Sequence, residues 1–191
     1  ACTHPSELST TRIAQHMGVT QGALFKHFPS KEALLEATVA WVAQQLLARI
    51  EQAAQEPLAR GDCLAALQAV FLAHIGFAAE HPGVPRILFG ELQRSESSAS
   101  RQVVQNLLGQ YGQRLQQWLA QGQAQGQVAP GTDLAAASAL LVGMVQGLVM
   151  QSVLAGNAQL LRTQAPAVFA LYRRAIAASP ALPCPPDGEP T

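Results

Sequence analysis

Lysine is nearly missing from this chain: Lys26 and Lys31 are its only two, and every other basic residue is arginine. Charge of one sign is missing as well, since 12 basic residues balance 12 acidic ones. A neutral protein exerts no long-range pull on nucleic acid, which excludes a general DNA-coating role and leaves only a local cluster to do any such work. Cys2, Cys63 and Cys184 are the whole cysteine content, far apart and without Cys-x-x-Cys or Cys/His spacing for zinc. That points to reduced structural thiols in the cytoplasm, with no disulfide framework and no metal. Aromatics make up 5% of the chain. Strand-like alternation and a signal-peptide run are not visible. What is abundant is alanine, leucine and glutamine, which predicts an all-α protein; no cofactor is expected.

Both lysines fall in one segment whose local chemistry reads as two short helices meeting at a turn. Ser9 or Thr10 supplies a hydroxyl for a free backbone N–H at the first helix start, and Ile13 and Met17, four apart, give that helix one apolar stripe. Gly18 stands where the chain must leave the helix, Val19 turns inward, and Thr20 caps the next helix. In that second helix Leu24 and Phe28 face the core, which turns Gln21, Ala23 and Lys26 outward. Glutamine pairs with adenine, alanine touches a thymine methyl, and lysine donates to guanine or phosphate. Thr20 and the free N–H groups at the helix start suit a phosphate oxygen. Pro29 ends the helix, Ser30 caps the following one, and Lys31 sits in its first turn, where a cation opposes the helix dipole and a phosphate would justify it. The competing account is a solvated face, and DNA contact is the better reading of the two.

The run Gly18-Val19-Thr20-Gln21-Gly22-Ala23-Leu24-Phe25-Lys26-His27-Phe28, followed by Ser30-Lys31-Glu32-Ala33-Leu34-Leu35, resembles the TetR family of transcriptional regulators. The resemblance implies an N-terminal helix-turn-helix head on a helical-bundle domain that binds an effector and dimerises. It implies phosphate contacts from Thr10, Thr20, His27 and Lys31, and base or groove contacts from Gln21, Ala23 and Lys26. Phe25 departs from the family's tyrosine, keeping the packing and dropping one hydrogen bond worth about 0.5–1.5 kcal/mol. The family also places a full helix before this motif, whereas only Ala1 to Leu8 precede it here, with Pro5 and no periodic apolar run. The expectation is that the chain lacks an N-terminal stretch.

Beyond Lys31 the helical period continues through Leu34, Leu35, Thr38, Trp41, Val42, Leu46 and Ile50, a single helix linking the head to the rest. Asp62 predicts the cap of a helix from about Cys63 to Glu80; a shorter one follows from Pro85 to about Arg94, then a polar loop over 95–100. Further helices are expected over about 100–125, 133–155 and 164–178. This divides the chain into a DNA-binding head (1–45), an effector and dimerisation domain (46–178) and a Pro-rich disordered tail (179–191). Leu134 to Ala155 is apolar nearly all round and raises the question of a membrane span. Ser138, Gln146, Gln151 and Ser152 interrupt it and flanking basic or aromatic anchors are missing, so a buried helix, with no membrane, is the reading adopted.

Gly143 and Gly147 permit close approach of a symmetry mate. With Val168, Leu171, Tyr172 and Ile176 they form the four-helix dimer interface that the resemblance implies. His74, Phe77, Tyr111, Trp118 and Met144 either line an effector pocket or are simply core. If a pocket exists, its chemistry suits an apolar or aromatic small molecule. Glu91 with Arg86 or Arg94 reads as a helical ion pair, and no catalytic constellation stands out, so an enzyme is not expected. The function expected is a homodimeric repressor on double-stranded DNA, with a palindromic operator released by an effector. The rival is a helical small-molecule-binding protein without DNA-binding activity.

Overall fold

The computed structural model describes residues 20, 22, 26–85 and 98–178. Five long helices carry nearly all of them: α1 (Lys31–Ala59), α2 (Cys63–Glu80), α3 (Ala99–Ala124), α4 (Leu134–Leu154) and α5 (Gln159–Ile176). Side chains of the preceding residue start four of the five. Ser30 Oγ accepts from Ala33 N at 3.0 Å and Asp62 Oδ1 from Ala65 N at 2.8 Å. Ser98 Oγ accepts from Arg101 N at 3.0 Å, and Asp133 Oδ1 accepts from Ala135 N and Ala136 N at 2.9 and 3.0 Å. Each cap satisfies amide groups that the helix itself leaves without partners, at about 1 kcal/mol apiece.

The ends are built as consistently. At the end of α1 Asp62 N donates to Pro57 O and Gly61 N to Leu58 O, both at 2.9 Å. At the end of α3 Gln127 N donates to Gly122 O at 2.8 Å and Gly126 N to Gln123 O at 3.1 Å. Both are Schellman closures, and they need a left-handed residue, supplied by Gly61 at φ 74° and Gly126 at φ 72°. Proline does not stop α1 at residue 57: Pro57 stands inside the last turn and the helix runs on to Ala59. The fifth helix starts at Gln159, five residues ahead of the sequence expectation; Asn157 Oδ1 accepts from Gln159 N at 3.0 Å, and Pro166 lies inside the helix on an exposed face. There the carbonyl that loses its donor can bond water.

α1 packs on α2 and α3, α2 on α5, and α4 on α3 and α5. The apolar α2 runs through the middle, with Leu67, Val70 and Phe71 wholly buried and Phe71 against Phe169 of α5 at 5.5 Å between ring centroids. α2 and α4 are each long and apolar enough to cross a membrane. In this bundle both bury a face against neighbouring helices.

Connections are tied together by one side chain. Gln127 accepts from Cys63 N at 2.8 Å and donates to Gly61 O, so the α3–α4 connection holds the α1–α2 turn. Ala129 N to Ile176 O and Ala178 N to Gln127 O, both 2.9 Å, fasten the same connection to the end of α5.

Gly122 marks the tightest crossing here. A Cβ at this position would lie 2.9 Å from Val128 Cγ2 and 3.1 Å from Cys63 Cβ. Alanine would gain about 1 kcal/mol of helix propensity, but a clash of this kind in a packed site costs about 1–3 kcal/mol. Gly122→Ala is therefore expected to lower the melting temperature. Gly109→Ala, in the same helix with open space around its Cβ, is expected to raise it, and a rise for both in thermal melts would show that the crossing is not tight.

Candidate functional site

Between α1, α2, α3 and α4 the packing leaves a cavity of about 90 Å³. Val42 and Leu46 of α1 form one wall, Val104 and Leu107 of α3 another, and Val145 and Val149 of α4 a third. Polar groups enter at three points, His74 of α2, Tyr111 of α3 and Gln146 of α4. Two of their atoms, His74 Nδ1 and the Tyr111 hydroxyl, are shielded from solvent and have no hydrogen-bond partner. The two rings stand 5.5 Å apart between centroids.

Burial acts on both groups. It pulls the His74 imidazole down to about 4 and drives the Tyr111 phenol far above its ordinary range, with Tyr172 adding to the second effect. At neutral pH both are uncharged. The folded state thus binds fewer protons at His74 than the unfolded chain, whose histidine titrates near 6.5. The stability this contributes is full above about pH 6.5 and is lost as pH falls through 6.5 toward 4. Between about pH 7.5 and 5 the loss is about 2 kcal/mol. Urea melts at the two pH values check it: His74→Gln should flatten the difference, and an unchanged difference would assign it elsewhere. Glu80, held below its usual range chiefly by the hydrogen bond from Arg49, is lost only under more acidic conditions.

Of the residues the sequence singled out for a pocket, His74, Phe77 and Tyr111 line this cavity. Trp118 and Met144 are not among its walls; both are partly buried against the core. Trp118 lies two turns along α3 from Tyr111, about 10 Å down the axis. Met144 is one residue from Val145, hence turned about 100° away from the wall. The aliphatic walls on α1, α3 and α4 carried no signal that distinguishes them from ordinary core.

In the head, Thr20, Lys26, His27 and Lys31 are exposed. Gly22, Lys26 and His27 are helical, and Phe28, Pro29 and Ser30 separate them from α1. Thr10, Gln21 and Ala23 lie outside the described residues, as do Arg86, Glu91, Arg94, most of the short helix expected after Pro85, and the Pro-rich tail.

On the outer side of the bundle, Gly143 and Gly147 are exposed on α4 in line with Leu140 and Leu154, 51% and 79% exposed. Leu171 on α5 is 60% exposed and Val168 is half-buried. Tyr172 sits apart from these. It is buried in the protomer, its hydroxyl donating to Ala137 O at 3.1 Å, so it braces α5 on α4 from within.

An exposed basic head joined by one continuous helix to a helical body with an apolar cavity defines a class, the ligand-linked helical DNA-binding regulators. Residues 5–38 match the family model of bacterial regulatory proteins of the tetR family, and residues 92–168 match that of the tetracyclin repressor-like C-terminal domain. The chain belongs to the TetR family of transcriptional regulators. It is 29% identical over 138 residues to the nucleoid occlusion factor SlmA of Alteromonas mediterranea, covering 72% of this chain and 67% of that protein. Its fold is similar to a TetR transcription regulator from Haloarcula marismortui at a TM-score of 0.75 and 17% identity, covering 90% of this chain and 88% of that one. It is also similar to the transcriptional regulator FadR of Bacillus subtilis, solved in complex with stearoyl-CoA, at a TM-score of 0.73 and 22% identity over 86% of each chain. The family is one of DNA-binding regulators, not enzymes.

Proposed function

We propose that this regulator is a homodimeric repressor whose two heads hold a palindromic operator and release it when a small apolar or aromatic molecule enters the cavity. The observation that carries this reading is α1 itself. Its first residue, Lys31, belongs to the exposed basic head, and its residues Val42 and Leu46 form a wall of the cavity. From Lys31 to Leu46 the helix rises about 22 Å without a break. A ligand that favours a shifted α1 moves the head with it, and coupling of about 1–3 kcal/mol would lower operator affinity some 5- to 150-fold.

Ion pairs tie α1 to the body. Arg49 donates to both carboxylate oxygens of Glu80 on α2, and Arg114 of α3 donates to Glu51. The head of this reading covers residues 1–45 and the effector and dimerisation body 46–178, with α1 crossing between them. Phosphate contacts fall to Thr10, Thr20, His27 and Lys31, and base or groove contacts to Gln21, Ala23 and Lys26. The apolar stripe of α4 with Leu171 of α5 suits a two-fold four-helix contact, which places the two heads about one turn of DNA apart. A cytoplasmic location goes with this role.

The test is fluorescence anisotropy with DNA from upstream of the protein's own gene against scrambled DNA, titrated with salt. Tighter, salt-sensitive binding to the former supports the reading. Equal affinity for both DNAs, from a dimer of intact fold, overturns it.

A further inference from the structure

We infer that the cavity takes an uncharged oxygen function, a hydroxyl or a carbonyl on a short apolar body, held by His74 and Tyr111. This rests on the reading of the cavity as the effector site. Buried polar atoms in folded proteins are almost always paired, and two orphans on neighbouring residues that line one cavity are an exception that needs a cause. A ligand supplies it.

The chemistry of the two atoms narrows what that ligand is. A phenol hydroxyl donates one hydrogen bond and accepts others, while a neutral imidazole Nδ1 either accepts or donates according to its tautomer. An alcohol oxygen can accept from Tyr111 and donate to His74. A carbonyl oxygen can accept from both when the imidazole carries its proton on Nδ1. A carboxylate fits poorly: among the described residues the walls hold no cation, burial keeps the imidazole neutral, and moving an ion into such a site without a partner costs far more than moving a neutral group. Volume sets the rest. About 90 Å³ is several times the space that one water needs, room for a polar group and a few carbons before a wall has to move.

Three four-carbon probes test it on the full chain: 1-butanol, 2-butanone and butanoate, followed through the imidazole nitrogen resonances of His74 at about pH 7.5. A neutral probe is expected to shift those resonances and to bind about tenfold or more tightly than butanoate. Tyr111→Phe removes an unpartnered hydroxyl and keeps the ring, so the variant folds. It should weaken the neutral probe about fivefold and leave butanoate unaffected. The inference is overturned if butanoate binds as well as the neutral probes, if Tyr111→Phe changes nothing, or if no probe at saturation moves His74, because water then serves both atoms. Operator binding separates this from the wider reading. Butanoate outbinding butanol while releasing operator DNA removes the oxygen chemistry and keeps the effector site; butanol seated on His74 with operator affinity unchanged keeps the chemistry and removes the effector role.

Discussion

Phe71→Ala is expected to cost about 3–5 kcal/mol, a third or more of the total stability of an ordinary domain. Phe71 is wholly buried on α2, the helix against which α1 and α5 both pack, and its ring meets Phe169 at 5.5 Å. Truncation loses the transfer energy of the ring, opens a void where rigid helices cannot close in, and deletes an aromatic pair. For a chain of this length a loss of that size lowers the melting temperature by roughly 10 °C. Phe77 is the instructive contrast. It lies two turns further along α2 and already borders the cavity, so Phe77→Ala enlarges an existing space and should cost less than Phe71→Ala. Urea melts at one fixed protein concentration compare the two, since dimerisation makes stability concentration-dependent. Equal losses would show that α2 is as tightly packed around Phe77 as around Phe71.

Much of the helical frame was legible because the signals are local. Asp62 and Asp133 cap the helices they announce, and α2 runs from Cys63 to Glu80 as its apolar period and the following Pro82 require. Where the reading fell short, the cause was a competing local signal. The period of α1 was followed to Ile50, whereas the helix continues to Ala59 with Pro57 in its last turn. The start of α5 was placed at Gln164, near Pro166, whereas the helix begins five residues earlier at Gln159, whose N donates to Asn157 Oδ1, and the proline is carried on the exposed side.

The cavity was legible in His74, Phe77 and Tyr111 and not in its aliphatic walls. His74 and Tyr111 stand out as polar groups on apolar stripes, and such residues are visible in a sequence. Val42, Val104 and Val145 form walls with them through contacts between three separate helices, and nothing in one sequence separates a cavity-lining valine from a core valine. Trp118 and Met144 stand outside the cavity walls: one lies two turns along α3 from Tyr111, the other about 100° round α4 from Val145. Tyr172, assigned to the outer face, points inward because its hydroxyl finds Ala137 O. The Gln127 clamp had no sequence signal, since its partners lie more than 60 residues away.

Replacing Lys26 and Lys31 together with alanine is expected to abolish operator binding at physiological salt while leaving the fold intact. Both side chains are exposed, so little packing is lost. The chain is neutral overall, and these are its only lysines; no distant charge compensates for them. If each contacts a phosphate, a dimer loses four contacts, and the slope of log affinity against log salt should become shallower by about 3 to 4. At about 0.1 M salt that corresponds to a loss on the order of a thousandfold. The single variants divide the roles. Lys31→Ala should weaken all DNA sequences alike and take about 2 from the slope of the dimer, one contact per protomer. Lys26→Ala should do the same if it contacts phosphate; if it reads a base edge, the loss falls on the specific site, discrimination between sequences narrows by about 1–3 kcal/mol per half-site, and the slope changes less. Arg60→Ala at the far end of α1, where Arg60 pairs with Glu56 on an exposed face, serves as the control that leaves binding unchanged. Operator affinity of the double variant within threefold of the parent, across a salt titration, would remove both lysines from the DNA surface and leave binding to the arginines.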